Sequence, residues 1–163
     1  PSKATSPIVE ATRRLTAPTP NSFSPESTGP RAPYTISNPI NTTRLHGLIV
    51  NALSTQLEQS GHRVINDQAR DIAILNSRGM VDTLLEVKTD SSTSSIYTGV
   101  GQLLLHTAND VPEPRRVLVL PTAVNAKLGN ALSKIGIRIL LYNSRGEEAP
   151  PIFDSLEGLL LKN

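Results

Sequence analysis

The chain has 163 residues, which is enough for one domain with a hydrophobic core. The absence of cysteine excludes a disulfide framework and a thiolate zinc site, and no apolar run approaches the roughly 18–20 residues that span a bilayer. The formal net charge of +2 lies entirely within residues 1–43, so the remainder has no charge excess to mark it as a nucleic-acid-binding domain. We therefore expect an intracellular, cytoplasmic protein.

The N-terminal segment differs in composition from the rest of the chain. Residues 1–43 hold eight of the 13 prolines and many serines and threonines, without an amphipathic period. Such a segment buries too little apolar surface to offset the entropy lost on ordering. The pattern predicts an irregular N-terminal arm, interpreted as a linker to an upstream domain in preference to a DNA-binding arm, and a folded domain over residues 44–163.

The folded part begins with a helix and a hairpin. Apolar residues recur at helical spacing over Thr43–Gln59, and Gly61 stands where a left-handed cap ends a helix. A short strand is predicted at His62–Ile65. Two further strands, Asp71–Leu75 and Val81–Thr89, flank a tight turn.

The second half alternates between helices and strands. The predicted elements are helix Ile96–Ala108, strand Arg116–Leu120, helix Asn125–Ile135, strand Ile137–Tyr142 and a terminal helix Asp154–Leu161. The order αβββαβαβ favours crossover connections and an α/β fold with a central mixed sheet covered by helices on both sides.

The hairpin carries three charged residues inside apolar strands. Asp71 opens the first strand, while Glu86 and Lys88 lie in the second, within Leu-Leu-Glu-Val-Lys-Thr. Unpaired charges are costly to bury, so two acids and a base in such strands indicate a site that holds a divalent cation and a reacting water. The spacing alone also fits a solvated sheet surface.

The register of the hairpin decides whether the acids meet. A turn centred between Ser77 and Arg78 would place Asp71 opposite Leu84, whereas a centre one residue later would place it opposite Glu86. Both registers put the two acids on one face, about 4.5–8 Å apart. A shift of the strand pairing by one residue, which falls between these two registers, would put Asp71 on the other face.

These residue types fit magnesium chemistry. Asp71 and Glu86 would supply carboxylate ligands to Mg²⁺, with Mn²⁺ as a substitute, and the backbone carbonyl of Val87 could supply a third oxygen. Lys88 would point into the same pocket, where it could orient the attacking water or stabilise the transition state.

The motif segments resemble those of the PD-(D/E)xK nuclease superfamily. The likeness is carried by Asp71–Ile74, by Leu84–Thr89 and by Ile96–His106 with its Gly-Gln-Leu-Leu run, and it extends over residues 44–142. The resemblance implies a restriction-endonuclease-like αβββαβ core and a metal-dependent phosphodiesterase that acts on DNA, less often on RNA. It also implies that Asp71, Glu86 and Lys88 form the catalytic triplet and that Gln102 is an auxiliary active-site residue. One departure from the family pattern is visible, since Arg70 and not proline precedes Asp71, but many relatives lack that proline too.

Residues around the triplet have open roles. Gln102 could bond the attacking water, Lys88 or a phosphate, or could be a surface amide. His46 could contact DNA or the metal site. Gly99 and Gly101 weaken a helix, which a close approach of another backbone would explain. Asp82 is predicted to be a solvated hairpin residue. Phosphate contacts could come from four arginines, namely Arg44, Arg63, Arg70 and Arg78.

The sequence thus predicts a Mg²⁺-dependent DNA endonuclease domain, the cleavage module of a restriction, defence or repair protein. Nicks in both strands of a duplex usually need two active sites, which suggests a homodimer. The alternative is a catalytically silent module on the same fold that binds nucleic acid or mediates assembly. An α/β domain unrelated to nucleases would be favoured if the hairpin faced solvent.

Overall fold

The computed structural model describes residues 22, 23, 25, 39–144, 149–154 and 156. Their elements, in chain order, are α1 (Pro39–Gln59), β1 (Arg63–Ile65), β2 (Ile72–Leu75), β3 (Val81–Val87), α2 (Thr93–Thr107), β4 (Arg115–Leu120), α3 (Ala126–Lys134), β5 (Ile137–Asn143) and β6 (Ile152–Phe153). None of the helices in these ranges is both long and apolar enough to cross a membrane.

The strands form one mixed sheet in the order β1-β2-β3-β4-β5-β6. β1, β2 and β3 pair antiparallel, β3, β4 and β5 pair parallel, and β6 pairs antiparallel with β5. Because parallel neighbours need a crossover, α2 connects β3 to β4 and α3 connects β4 to β5. The predicted α/β fold, an αβββαβ core with a mixed sheet flanked by helices, is confirmed.

Each face of the sheet has its own apolar core. On one face, α1 packs Ile49, Leu53 and Leu57 against alternate residues of the strands, among them Leu85 and Val119. On the other face, Ile96 and Leu103 of α2 and Leu132 of α3 cover residues that include Leu84 and Leu118. Period-two alternation along β3 and β4 therefore divides their side chains between the two layers.

The hairpin turn is fixed by local chemistry. Gly79 adopts φ +77°, which a glycine accommodates without strain. The side-chain oxygen of Asn76 accepts hydrogen bonds from the backbone N–H groups of Arg78 and Met80. These contacts close the connection between β2 and β3.

The pairing of β2 with β3 selects one of the two registers left open by the sequence. Ile72 pairs with Leu85 and Ala73 with Leu84, so continuing the ladder by one residue brings Asp71 opposite Glu86. The turn itself is not centred on Arg78 and Gly79: the N–H of Asn76 bonds the carbonyl of Met80 and the N–H of Gly79 bonds the carbonyl of Asn76, so the loop is centred on Arg78. An irregularity in the ladder supplies the remaining shift that brings Asp71 opposite Glu86. The ladder shifts between Ile74 and Leu75, close to the turn and away from the acids.

The first helix and the last strand differ most from the sequence prediction. The first helix begins at Pro39, inside the predicted arm, since proline is well tolerated in a first helical turn that needs no N–H donor. The two-residue strand β6 was not predicted, because it directly follows two prolines. The predicted helix Asp154–Leu161 lies outside the described residues except at Asp154 and Leu156. The described part of the predicted arm also includes Phe23, which packs against the α1 core.

Candidate active site

The predicted catalytic residues meet at the end of the hairpin. Asp71 immediately precedes β2, Glu86 lies near the end of β3, Lys88 directly follows that strand, and Gln102 lies on α2. The Lys88 ammonium donates hydrogen bonds to Oε1 of Glu86, at 2.8 Å, and to Oε1 of Gln102, at 2.7 Å. The sequence left the attacking water, Lys88 and a phosphate open as partners of Gln102, and the structure shows the hydrogen bond to Lys88.

Asp71 is held by contacts from two elements. Its Oδ2 accepts a 2.8 Å hydrogen bond from the backbone N–H of Val87, across the hairpin. Its Oδ1 lies 3.2 Å from Nε2 of His46, which comes from α1. His46 therefore contacts the site through Asp71. The carboxylate is fixed in orientation, while its side chain keeps 18% of its surface exposed.

Glu86 is a buried acid in an electrostatically unfavourable position. Its side chain is 2% exposed. Burial, and then the negative charge of Asp71, raise the pKa of Glu86 to about 7, although Lys88 and His46 act in the opposite direction. A carboxyl that titrates near neutral pH beside a second carboxylate is a common feature of functional sites.

The two carboxylates fit a hard divalent cation. A cation between Asp71 and Glu86 would offset the repulsion that raises the pKa of Glu86, and Mg²⁺ commonly uses one or two carboxylates. In the described part of the chain, no three or more His, Cys, Asp or Glu side chains are grouped as a metal site. The ligand set therefore needs a further oxygen donor. The carbonyl of Val87 stays a prediction in that role, since the contact shown for Val87 is made by its N–H.

Lys88 is positioned by three other elements. Its backbone N–H donates to the carbonyl of Val119 on β4, and its carbonyl accepts from the Tyr142 hydroxyl on β5. A Cβ at Gly99 of α2 would lie 3.0 Å from Cε of Lys88 and 2.6 Å from Cδ1 of Leu118. The close approach expected at Gly99 is confirmed, but it is made by side chains rather than by another backbone.

The same expectation is wrong for the second helical glycine. A Cβ at Gly101 would meet no atom within 4 Å, so this position faces open space. Helix packing therefore requires glycine at only one of the two positions.

His106 was not predicted as a site residue. It follows Gln102 by four residues, and its half-buried ring places Nδ1 out of solvent without a hydrogen-bond partner among the described residues. Burial lowers the pKa of His106, with Asp67 and Asp71 acting in the opposite direction and Arg70 in the same one. The spacing to Gln102 was the signal in the sequence that could have identified it.

The remaining charged candidates have specific locations. Asp82 forms an ion pair with Arg115 on β4 and keeps 25% of its side chain exposed, so the residue predicted to be solvated is partly so. Arg70 pairs with Asp67 in the loop before β2, with a 2.8 Å bond from Nε. The other three candidate arginines, Arg44, Arg63 and Arg78, have exposed side chains.

Comparisons of the chain with protein-family models, with curated proteins and with solved structures find no match. The resemblance to the PD-(D/E)xK superfamily therefore stays a prediction from the motif residues.

Proposed function

We propose that this domain is a Mg²⁺-dependent DNA endonuclease of the PD-(D/E)xK kind, serving as the cleavage module of a restriction, defence or repair protein. The observation that carries the proposal is the buried Glu86, which faces Asp71 across the hairpin and is bridged to Gln102 by the Lys88 ammonium. The arrangement combines two carboxylates and one positive charge in a pocket of low exposure, which suits phosphodiester hydrolysis.

Each residue of the pocket has a defined role in this proposal. Asp71, Glu86 and the carbonyl of Val87 would hold Mg²⁺ or Mn²⁺, which would supply Lewis acidity for deprotonating a water and for offsetting charge on the phosphate. Lys88 presents a cation to the attacking water or to a phosphate oxygen. Gln102 fixes the position of that cation, since its Oε1 accepts from Nζ at 2.7 Å.

The low exposure of the site supports a nuclease over an unrelated α/β domain. That alternative would be favoured by a hairpin facing solvent, whereas Glu86 is buried and its carboxyl contacts a mostly buried lysine that also bonds Gln102 of α2. Burial of an acid that could otherwise lie on a surface has an energetic cost, and function is a common reason for a protein to retain such a group.

A catalytically silent module on the same fold is the second candidate. It is favoured by one observation, that the described residues hold no group of three or more acid, histidine or cysteine side chains arranged for a metal. In this case the Glu86–Lys88–Gln102 contacts would serve only to satisfy buried polar groups. Such a module would bind DNA or a partner without cleaving the nucleic acid.

Cleavage assays distinguish the two candidates. The protein would be incubated with linear, circular, single-stranded and branched DNA, and with RNA, in the presence of Mg²⁺ or EDTA. Lys88→Ala would be run in parallel, with Lys127→Ala, an exposed lysine of α3, as the matched control. We expect metal-dependent cleavage by the parent and by the control, and none by Lys88→Ala.

The form of the products adds information on assembly. Direct linearisation of circular duplex would indicate two active sites acting together and hence a homodimer, whereas nicking alone would indicate a single site. If Lys88→Ala cleaves as fast as the parent, the assigned site is wrong. If the parent binds DNA but cleaves none of the substrates, the silent module is the better description.

A further inference from the structure

A polar cavity opens at the end of the sheet opposite the triplet. It is lined by residues 113–116, at the start of β4, and by residues 133–138, which run from the end of α3 into β5; its volume is about 670 Å³. We call it the basic cleft. The triplet lies instead at the opposite end of the parallel strands, where the N–H of Lys88 meets the carbonyl of Val119.

The lining of the basic cleft is rich in cations. Arg115, Arg116, Lys134 and Arg138 contribute four positive charges, against one negative charge from Glu113. Glu113 pairs with Arg116, and Asp82 of β3 pairs with Arg115. These six residues have a formal net charge of +2, whereas the other charged residues that the structure describes, six basic and seven acidic, have a formal net charge of −1.

One of these cations is held in a fixed orientation. Arg116 is only 9% exposed, and its Nε donates a 2.7 Å hydrogen bond to the hydroxyl oxygen of Thr107 at the end of α2. That hydroxyl in turn donates to the carbonyl of Leu103. A guanidinium immobilised in this way loses little further entropy when it binds an anion, which favours phosphate recognition.

The C-terminal turn of α3 has two opposing electrostatic effects on an anion in the basic cleft. The C-terminus of a helix carries partial negative charge, which disfavours an anion. Lys134 stands in this last turn and is exposed, and the N–H groups of Ile135 and Gly136 donate to carbonyls of the same turn. These donors reduce the effect of the helix end, so the cationic side chains dominate.

We propose that the basic cleft binds a backbone phosphate of the nucleic acid that the active site cleaves. The identity of the ligand rests on the proposed nuclease function, since the cleft itself recognises only a phosphate group. It gives a domain with balanced charge a localised anchor for a polyanion, because phosphate contacts supply most of the sequence-independent affinity for DNA.

The two sites are too far apart for one phosphodiester. Arg116 and Val119 are three residues apart on β4, which corresponds to about 10 Å along the strand. A nucleic-acid strand advances about 3.4 Å per nucleotide along a duplex axis, so a substrate that reaches both sites must extend for several nucleotides. The basic cleft therefore selects polymeric substrates over mononucleotides and simple phosphodiesters.

DNA binding without catalysis tests this inference. Affinity for a short fluorescent duplex would be measured in EDTA at several KCl concentrations, for the parent, Lys134→Gln and Arg138→Gln. Loss of one phosphate contact should lower the slope of log K against log salt concentration by about 0.9 and weaken binding about eightfold at about 0.1 M salt. Melting temperatures would verify that each variant is folded.

Two controls separate a specific contact from net charge. Lys134→Arg retains the charge in the cleft and should bind as the parent does. Lys127→Gln removes the same charge from the exposed first turn of α3 and should leave the slope unchanged. An equal loss in Lys127→Gln, an unchanged slope in both cleft variants, or no DNA binding by the parent would each overturn the inference.

Further measurements separate this inference from the nuclease itself. The cleft variants should cleave a simple chromogenic phosphodiester at the parental rate while cleaving long DNA more slowly. If the cleft variants have a reduced salt slope but the parent cleaves nothing, the phosphate-binding cleft stands and the nuclease assignment is wrong. If the parent cleaves DNA but the cleft variants have an unchanged salt slope, the nuclease assignment stands and the cleft proposal is wrong. If inorganic pyrophosphate stabilises the parent but not Lys134→Gln, and the DNA slope is unchanged, the cleft binds free phosphates rather than nucleic acid.

Discussion

The backbone N–H of Val87 donates a hydrogen bond to Oδ2 of Asp71, so the first acid of the site is fixed by the strand that carries the second. This contact joins the two strands beyond the last paired residues of the β2–β3 ladder. Val87 is itself 1% exposed, and its N–H would be left without a partner if the carboxylate were removed. Asp71 therefore has a structural role that is separable from its charge.

Two substitutions at Asp71 should separate these roles. Asp71→Asn retains an acceptor oxygen for the Val87 N–H and should fold with nearly parental stability, yet lose metal-dependent cleavage. Asp71→Ala leaves a buried donor unsatisfied and should lose both activity and about 1–3 kcal/mol of unfolding free energy. Urea denaturation of both variants in EDTA would measure the difference. Equal stability of the two would show that the hydrogen bond contributes little.

The raised pKa of Glu86 predicts a dependence of stability on pH. Between the ordinary value of about 4.5 and the folded-state pKa of about 7, the folded protein binds more protons than the unfolded chain, so unfolding free energy falls as pH rises through this window. The loss should amount to about 1–3 kcal/mol between pH values of about 4 and 8 without metal. Glu86→Gln, which cannot ionise, should lack this component.

Urea unfolding of the parent and of Glu86→Gln across that pH range gives the measurement. The difference between the two proteins isolates Glu86 from the other titrating groups. A difference that is constant with pH would mean that Glu86 titrates normally in the folded state.

Binding of Mg²⁺ should stabilise the protein where the two acids are ionised. At a pH of about 8, the cation offsets the repulsion between Asp71 and Glu86, and a ligand present at about 100 times its Kd contributes about 2.7 kcal/mol. The melting temperature of the parent should therefore rise with Mg²⁺, and that of Glu86→Gln should not. Asp82→Asn is the matched control, because Asp82 lies on the same strand but pairs with Arg115. A full shift in Glu86→Gln would place the cation elsewhere.

The two glycines of α2 should respond in opposite ways to alanine. Gly101→Ala faces open space and should stabilise the helix by about 1 kcal/mol. Gly99→Ala introduces a methyl group against Leu118, which is fully buried, and against the stem of Lys88. The overpacking should exceed the gain in helix propensity and displace the Lys88 ammonium, with at least tenfold lower cleavage. Parallel urea unfolding and cleavage assays test the pair, and parental activity in Gly99→Ala would show that the site tolerates the shift.

Much of this arrangement could be predicted because it depends on local patterns. The hairpin was identified from apolar alternation and a turn ending in glycine, and the acids shared a face in either of the registers considered. The structure was needed to choose between Leu84 and Glu86 as the residue opposite Asp71, because that choice depends on the turn and on the shift of the ladder between Ile74 and Leu75. The burial of Glu86 depends on α2 covering it, which no local pattern encodes.

Contacts between distant segments could not be predicted in the same way. The ion pair of Asp82 with Arg115 joins residues 33 positions apart, and its formation depends on the parallel pairing of β3 with β4. The contact of His46 with Asp71 spans 25 positions and depends on how α1 crosses the sheet. The role of Val87 as a metal ligand stays a prediction.

The 18-residue segment 71–88, which supplies both acids and the lysine, also has a consequence for the folding rate. A hairpin closes rapidly because its contacts are local, whereas β3 can pair with β4 only after the chain of α2 has crossed between them. Asp71, Glu86 and Lys88 should therefore come together before α2 packs over them. The free-energy cost of desolvating Glu86 then arises in the later step in which α2 docks. Stopped-flow refolding in EDTA should accordingly be faster at a pH of about 5 than at about 8 in the parent, with a smaller difference in Glu86→Gln.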